Sequence, residues 1–340
     1  MTPEATVLLT GLDETASAIS SVQLAGGMIP HTPGGIADPW NHIEAAMGLD
    51  VGGLHERAAR AYGWLFSTQR SDGSWPAAFR GDRVVDETID ANFVAYIAVG
   101  AWHHYLSTDD AGFLHRAWPF VERALDHVLD LQRPDGTICW ARDPQGRIWD
   151  GALLTSSSCI HMSLRCGIAI VEALGGERPD WELSLQLLGD ALRGAPDGFE
   201  RKDRFSMDWY YPALSGALSK EQGRRRIESR WDEFVIEGKG VRCVGDRPWV
   251  TSGETAELIL ACDAMGLRDE ALTLYDWLQH LRSDDGAYWI GATWPEGTVW
   301  PREKPTWGSG AVMLAADALA HVGPASGLFR GESLPPVPLT

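Results

Sequence analysis

Carboxylate and aromatic residues recur together at six places along the 340-residue chain. The six groups are Asp38, Trp40, Asn41 and Glu44; Asp86, Asp90 and Asn92; Trp149 and Asp150; Asp208, Trp209, Tyr210 and Tyr211; Trp249, Thr251 and Glu254; and Trp294, Glu296, Trp300, Glu303 and Trp307. Aromatic rings pack on the C–H face of a sugar, and carboxylates and amides bind its hydroxyl groups. Two carboxyl groups, one protonated and one ionised, can hydrolyse a glycosidic bond. The residue types therefore indicate a carbohydrate site.

Glycine-centred turn signals separate these groups along the chain. They lie at 23–27, 69–73, 132–136, 195–198, 238–240 and 282–286. Asp-Gly after a helical pattern ends a helix, because glycine adopts the left-handed conformation and aspartate bonds the local backbone. Helices with one charged face are predicted before the signals, for example over 54–69, 111–132 and 268–282. We expect these to be outer helices.

After each signal comes a helix with far fewer charges. The predicted spans are 40–47, 90–105, 155–174, 208–218, 252–265 and 307–321. Helices that are apolar all round are buried, so these are inner helices. Six outer–inner hairpins predict an all-α fold, an (α/α)6 barrel with little or no β structure. The strand-like stretches 241–243 and 288–290 are too short for a core sheet and are expected in loop hairpins.

This architecture predicts where the six groups of polar and aromatic residues meet. One barrel domain spans 1–325, and a Pro-rich tail follows over 326–340, of which 334–339 is predicted to be extended or poorly ordered. The segments that lead into the inner helices emerge at one end of such a ring. We therefore expect the carboxylates and aromatic residues to converge at that end.

Composition excludes several classes of function. The chain has 47 Asp and Glu against 29 Lys and Arg, a formal charge of -18, which repels nucleic-acid phosphates. The basic run 224–226 is interpreted as a solvated helix face. No apolar run of about 18 residues predicts a membrane span, and no signal peptide is predicted, so we expect a cytoplasmic protein without membrane contact. Five scattered cysteines predict no disulfide framework, and Cys159 with His161 lacks a second ligand pair, so neither metal nor cofactor is expected.

Two segments carry a resemblance to a known group of enzymes. Trp149-Asp150-Gly151 enters the third inner helix, and Trp294-Pro-Glu296 with Pro305-Thr-Trp307 enters the sixth. This order resembles the (α/α)6-barrel glycoside hydrolases of the glucoamylase type. The resemblance implies Asp150 as general acid, Glu296 as general base, Asp38 as a sugar-binding residue, and inversion at the anomeric carbon. The acid is Asp where glucoamylases use Glu, so rivals stay open: Glu254 and Glu303 as base, Asp90 and Asp208 as acid.

A closer resemblance rests on four motifs. They are Asp38-Pro-Trp-Asn-His-Ile-Glu44, Asp90-Ala-Asn92, Ala152-Leu-Leu-Thr-Ser-Ser-Ser158 and Trp300-Pro-Arg-Glu-Lys-Pro-Thr-Trp307. Together they resemble the actinobacterial methylmannose polysaccharide hydrolases, α-1,4-endomannosidases often labelled prenyltransferases. This implies a polysaccharide of α-linked, partly O-methylated mannose as substrate. The residues proposed to bind it are Asp38, Trp40, Asn41, Glu44, Asp90, Asn92, Tyr210, Tyr211, Trp249, Trp294, Trp300 and Trp307.

Four alternatives stay open at this point. A hydrolase of another intracellular α-glucan or oligosaccharide would use the same residue types. A polysaccharide lyase would use Tyr210 or Tyr211 as base, although an acidic mouth suits a polyanionic glycan poorly. A prenyltransferase or terpene cyclase is suggested by the Gln/Trp repeat at 69–75, but the Asp-rich motifs of those enzymes are lacking. A non-catalytic glycan-binding protein would need no acid–base pair.

Overall fold

The computed structural model describes residues 2–194 and 196–336, and helices dominate it. The helices are α1 (Pro3–Leu9), α2 (Leu12–Val22), α3 (Pro39–Val51), α4 (His55–Thr68), α5 (Ala91–Ala95), α6 (Ile97–Thr108), α7 (Ala111–Leu129), α8 (Leu154–Ala173), α9 (Pro179–Gly194), α10 (Ser206–Leu214), α11 (Lys220–Ser229), α12 (Trp231–Phe234), α13 (Ser252–Met265), α14 (Arg268–Leu278) and α15 (Thr306–Ala320). Short 3-10 helices cover Pro196–Gly198 and Gln279–Leu281. The all-α prediction is confirmed.

The inner ring consists of α3, α5 with α6, α8, α10, α13 and α15. Neighbours contact one another in that order, and α15 closes the ring on α3. Every residue of α13 is buried, as expected for a helix that is apolar on all faces. The outer helices α2, α4, α7, α9, α11 and α14 alternate with the inner ones along the chain. The arrangement is the (α/α)6 barrel that the sequence predicts.

Ring closure depends on small residues where α3 meets α15. A Cβ atom on Gly310 of α15 would lie 2.6 Å from the main-chain oxygen of Glu44, and one on Gly48 would lie 2.7 Å from the Cα of Gly310. Contacts this short are sterically excluded, so only glycine permits the approach. The two helices therefore pack backbone against backbone.

The Asp-Gly turns join neighbouring hairpins. The Gln69 amide donates to the main-chain oxygen of Gly73 in its own turn, at 3.0 Å, and to that of Phe120 on the next outer helix, at 2.8 Å. Gln23 and Gln132 make the same pair of bonds with their own turns and the following outer helices. Gly73 has a φ of +87°, and a Cβ there would meet the main-chain oxygen of Arg123 at 2.1 Å. The Gln/Trp-type repeat is thus a packing device.

The other turn signals differ. In the sixth turn Arg282 occupies the glutamine position and donates to the main-chain oxygen of Gly11 at 3.0 Å, which links the last turn to the first outer helix. Ala195, at the start of the fourth signal, lies outside the described residues. The fifth signal, 238–240, connects two strands instead of following a long helix.

Short strands occupy the loops at the end where the inner helices begin, which we call the mouth. They are β1 (Ala78–Arg80), β2 (Arg83–Asp86), β3 (Ile89–Asp90), β4 (Ala141–Arg142), β5 (Val235–Ile236), β6 (Gly240–Arg242), β7 (Trp249–Thr251) and β8 (Gly291–Thr293). β1 pairs with β2, β3 with β4, and β5 to β8 form one antiparallel sheet. Of the two strand-like stretches, 241–243 overlaps β6, whereas 288–290 contributes an isolated bridge between Tyr288 and Arg282.

Two further segments complete the barrel. Helix α8 is long and apolar enough to cross a membrane, but 89% of that window is buried inside the fold, so it packs as a core helix. Residues 323–336 cover the barrel: Leu328 is buried and the Arg330 guanidinium lies 2.6 Å from Asp263. Residues 337–340 of the predicted Pro-rich tail lie outside the described part of the chain.

Candidate active site

Three carboxylates lie at the amino-terminal ends of three inner helices. Asp38 caps α3, Asp90 caps α5, and Glu254 lies in the first turn of α13. A carboxylate is favoured there because the first N–H groups of a helix have no intrahelical partner and the helix dipole is positive at that end. Since all inner helices start at the mouth, the fold brings the three side chains to one end.

Donors surround the Asp38 carboxylate. Its Oδ1 accepts a hydrogen bond from the Asn41 main-chain N at 2.8 Å. Its Oδ2 accepts one from the Asn41 side-chain amide at 2.6 Å and lies 2.8 Å from His31 Nε2. The side chain is thereby fixed in orientation. Asp38, Asn41 and His31 present a polar group that can bind sugar hydroxyls.

Asp90 holds its proton more tightly than an ordinary aspartate does. Its Oδ1 accepts hydrogen bonds from the main-chain N of Asn92 at 2.9 Å and of Phe93 at 3.2 Å. Burial, with a smaller contribution from the Asp38 charge, outweighs these bonds and raises the pKa of Asp90 to about 7. A carboxyl group with this pKa carries a proton in a large fraction of molecules at neutral pH, so it can act as a general acid.

Glu254 is buried on a helical turn that packs against the Trp307 ring. Its Oε2 accepts a 2.5 Å hydrogen bond from the Thr251 hydroxyl. The Trp307 ring packs on the same helical turn, where a Cβ on Gly253 would lie 2.3 Å from the ring. Burial and then the Glu254 charge raise the pKa of the Cys243 thiol.

A second pair of carboxyl groups lies deeper in the barrel. The hydroxyls of Tyr210 and Tyr211 each donate to one oxygen of Glu257, and burial raises the pKa of Glu257 to about 8. Burial and then the Glu257 charge hold the pKa of Glu44 well above its usual range. Both side chains line a cavity of about 20 Å³ together with Cys159, which is room for one water molecule. Glu44 and Glu257 are therefore two buried carboxyl groups with raised pKa values that lie below the mouth.

Trp40, Asn92 and Asp208 are three further residues of the predicted site. The Trp40 ring stacks on Tyr96 with centroids 5.0 Å apart. The Trp40 Nε1 and Asn92 Oδ1 atoms are buried and have no hydrogen-bond partner within the described residues. Asp208 accepts a 2.6 Å bond from the Thr155 hydroxyl, and burial raises its pKa. Trp40 and Asn92 thus retain unused capacity to bind a ligand.

Asp150 and Glu296, the pair implied by the glucoamylase resemblance, lie on exposed loops at the rim of the mouth. The Asp150 side chain is 96% exposed, with one oxygen 3.6 Å from Arg133 Nη1. Glu296 is exposed in the turn that follows β8, and Glu303 is exposed in the loop before α15. These three carboxylates lie on exposed loops, whereas Asp90 and Glu254 lie at the ends of inner helices. Their catalytic roles remain predictions.

Tryptophans cluster on the loops next to α13. The Trp249 indole N–H donates to the Trp300 main-chain oxygen at 2.6 Å, and their rings lie 5.9 Å apart. The Arg242 guanidinium lies 5.7 Å from the centre of the Trp294 ring. Trp300 is 60% and Trp294 38% exposed. These rings can contact a ligand without any rearrangement of the core.

Sequence reasoning did not select His31 or Glu257. Glu257 lies one helical turn after Glu254 in an otherwise apolar stretch of α13, and that spacing was a usable signal because residues three apart share a helix face. His31 lies in an irregular loop and contacts Asp38 only through the fold. No local pattern marks such a residue.

Comparisons with known proteins agree with this architecture. No family model matches the chain. The chain is 48% identical over 322 residues to the MMP endo-(1,4)-3-O-methyl-alpha-D-mannosidase of Mycolicibacterium hassiacum, a match that covers 95% of this chain and 89% of that protein.

Solved structures with a similar fold include two helical barrels that act on or bind sugars. A glycosidase in complex with glucose matches with a TM-score of 0.73 at 16% identity, over 96% of this chain and 99% of that chain. A D-mannose isomerase matches with a TM-score of 0.70 at 11% identity, over 92% and 97%. At these identities the two structures support the fold alone. The 48% identity over nearly the whole chain shows more: this chain belongs to the MMP endo-(1,4)-3-O-methyl-α-D-mannosidase family.

Proposed function

We propose that this enzyme hydrolyses internal α-1,4 bonds in a 3-O-methylmannose polysaccharide. The family relative from M. hassiacum is named for this activity. The observation in this chain that carries the proposal is the pairing of a proton-holding carboxyl, Asp90, with a second carboxylate, Glu254, at the same end of the barrel. Glycoside hydrolysis needs two carboxyl groups, one to donate a proton and one to accept a proton from water.

The proposed reaction has one proton donor and one base. Asp90 donates its proton to the glycosidic oxygen as the bond between that oxygen and the anomeric carbon breaks. Glu254 accepts a proton from the water whose oxygen forms the new bond to that carbon. The hydrogen bond from Thr251 orients the Glu254 carboxylate. Water attack from the opposite face inverts the anomeric configuration.

The surrounding residues bind the sugar in this proposal. Asp38 and Asn41 bind hydroxyl groups. Asn92 Oδ1 and Trp40 Nε1, which have no partner among the residues that the structure describes, supply a further acceptor and donor. The indole ring of Trp307 provides a flat surface for a sugar ring. The alternative pair, Asp150 and Glu296, would act from the rim loops. It is favoured by the glucoamylase resemblance, and substitution of each residue separates the two assignments.

Proton NMR of the products tests the proposed function. The purified protein is incubated with α-1,4-linked 3-O-methylmannose oligosaccharides and, separately, with malto-oligosaccharides. We expect new β-anomer signals first, from the methylmannosides only, and products of intermediate length that indicate internal cleavage. Initial α-anomers would contradict inversion. Cleavage of the malto-oligosaccharides alone would show that the substrate is another α-glucan.

A further inference from the structure

Each of the three mouth carboxylates is tied to a β arm that rises from the barrel. Ala37, which precedes Asp38, pairs with Phe79 of the first arm, residues 78–86. Asp90 pairs with Ala141 of the second arm, residues 141–150. The strand that leads into the helix of Glu254 pairs with the third arm, residues 291–300. The arms thus surround the site, one beside each carboxylate.

The arms carry an unusual share of exposed apolar side chains. In the described part of the chain, six of twelve exposed large hydrophobic residues lie on these three arms. They are Val84 (37% exposed), Val85 (50%), Ile148 (46%), Trp149 (43%), Trp294 (38%) and Trp300 (60%). Clustered apolar exposure on a folded protein marks a binding surface. We call these six side chains the apolar rim.

The apolar rim is held in place before any ligand binds. In the second arm, the Trp149 main-chain N donates to the Ala141 oxygen at 3.0 Å, and its ring packs edge-on against Trp140 at 4.7 Å. In the third arm, Trp249 donates to the Trp300 oxygen at 2.6 Å. A surface fixed in this way loses little conformational entropy on binding.

We propose that the apolar rim binds the O-methyl groups of the glycan and so selects methylated over unmethylated mannan. The inference rests on the proposed function and adds the residues that determine specificity. A methyl ether has no O–H donor for a carboxylate to recognise, whereas its methyl group gains free energy when an apolar surface buries it. Burial of one methyl group favours binding about fourfold.

The same surface disfavours the unmethylated chain. A free hydroxyl group placed against Val85 or Ile148 loses its hydrogen bonds to water and gains none from the apolar side chain, which weakens binding. Discrimination therefore accumulates along the glycan, with one contribution for each sugar that meets an arm.

Selectivity of rim variants tests this inference. Val85→Ser and Ile148→Ser are compared with Val7→Ser and Leu183→Ser, whose side chains are 74% and 58% exposed on α1 and α9. The measured quantity is the ratio of kcat/KM for 3-O-methylated over unmethylated α-1,4-manno-oligosaccharides of equal length. We expect each rim variant to lower this ratio about fourfold, through a higher KM for the methylated substrate. We expect the two control variants to keep the wild-type ratio.

The outcomes separate this inference from the proposed function. A folding defect lowers kcat/KM for both substrates and leaves their ratio intact, so a changed ratio does not come from misfolding. An unchanged ratio in both Val85→Ser and Ile148→Ser overturns the inference. In that case hydrolysis of the methylated substrate by the wild type still supports the proposed function. A wild-type protein that hydrolyses neither substrate overturns both. Trp300→Ala, which removes the most exposed ring of the rim, should lower the ratio more than either aliphatic variant.

Discussion

Glu44 of α3 and Glu257 of α13 face one cavity of about 20 Å³ below the mouth. Tyr210 and Tyr211 donate to both oxygens of Glu257, whereas Glu44 Oε2 has no partner among the residues described. Burial raises the pKa of Glu257 to about 8, and burial together with the Glu257 charge holds the pKa of Glu44 well above its usual range. The protonated form of Glu44 is therefore favoured, and glutamine reproduces the shape and charge of that form.

This relationship predicts how stability depends on pH. Each of the two carboxyl groups binds its proton more tightly in the folded than in the unfolded protein. For Glu257 the contribution to the free energy of unfolding is therefore fully present below pH about 4.5 and is lost as pH rises toward 8. The contribution of Glu44 is likewise lost as pH rises, because its pKa is raised in the same direction. We expect the Tm of Glu44→Gln to fall less between pH 5 and pH 8 than that of the wild type. Thermal unfolding at both pH values measures this. The exposed-site control Glu296→Gln should behave as the wild type, and an equal fall in Glu44→Gln would contradict the assignment.

The Asp90 pKa predicts the alkaline limit of activity. As the proton donor, Asp90 must be protonated, so kcat/KM should fall about tenfold per pH unit above its pKa of about 7. Asp90→Asn should lower kcat/KM by about 100- to 10,000-fold, the usual contribution of a general acid. A pH–rate profile from pH 5 to 9 tests both statements. Asp130→Asn, at an exposed site, serves as control, and an Asp90→Asn variant with wild-type rate and profile would exclude Asp90 as the acid.

Ring closure at Gly310 predicts a packing defect. An alanine there places its Cβ 2.6 Å from the Glu44 main-chain oxygen, so α3 and α15 must separate. We expect Gly310→Ala to lower the free energy of unfolding by about 1–3 kcal/mol. At Gly63 of α4, an alanine methyl group would meet no atom within 4 Å, so Gly63→Ala should raise it by about 0.5–1 kcal/mol. Denaturant unfolding measures both, and equal effects would refute the close approach of the two helices.

The turn glutamines predict a stability contribution from the repeat. Gln69→Ala removes three hydrogen bonds: the two donated to the main-chain oxygens of Gly73 and Phe120, and the one accepted from the Arg123 guanidinium at 2.6 Å. The expected loss is about 1–3 kcal/mol in the free energy of unfolding. Gln145→Ala, in an exposed turn, should change it by less than about 0.5 kcal/mol. Chemical denaturation compares the pair, and a Gln69→Ala variant as stable as the wild type would remove the structural role of the repeat.

Helix positions were predictable where local chemistry marks both ends. The prediction 252–265 coincides with α13, which ends where Gly266 adopts a φ of +74°. The prediction 208–218 ended four residues too late, because α10 ends at Leu214 and Gly216 takes a φ of +69° within a still apolar stretch. The sheet of β5 to β8 was not predictable as a sheet, since strands of two or three residues pair across long sequence separations, as Val250 does with Ala292.

The location of the candidate site was predictable from the sequence, but the role of each carboxylate within it was not. Carboxylates that precede inner helices had to meet at the mouth, and Asp38, Asp90 and Glu254 do so. Which carboxylate is buried depends on the loops. The second arm carries the exposed Asp150 side chain, whereas the pairing of Asp90 with Ala141 keeps Asp90 at the start of its helix. Such long-range pairings leave no trace in local sequence.

Single substitutions at the four candidate catalytic positions test most directly whether Asp90 and Glu254 are the catalytic pair. Asp90→Asn, Glu254→Gln, Asp150→Asn and Glu296→Gln are assayed for kcat on a 3-O-methylmannose oligosaccharide, with thermal unfolding to show that each variant is folded. We expect Asp90→Asn and Glu254→Gln to lower kcat by at least about 100-fold. We expect Asp150→Asn and Glu296→Gln to lower kcat by less than about tenfold. Loss of activity in Asp150→Asn and Glu296→Gln, with near-normal kcat in Asp90→Asn and Glu254→Gln, would contradict this pairing and assign catalysis to the rim.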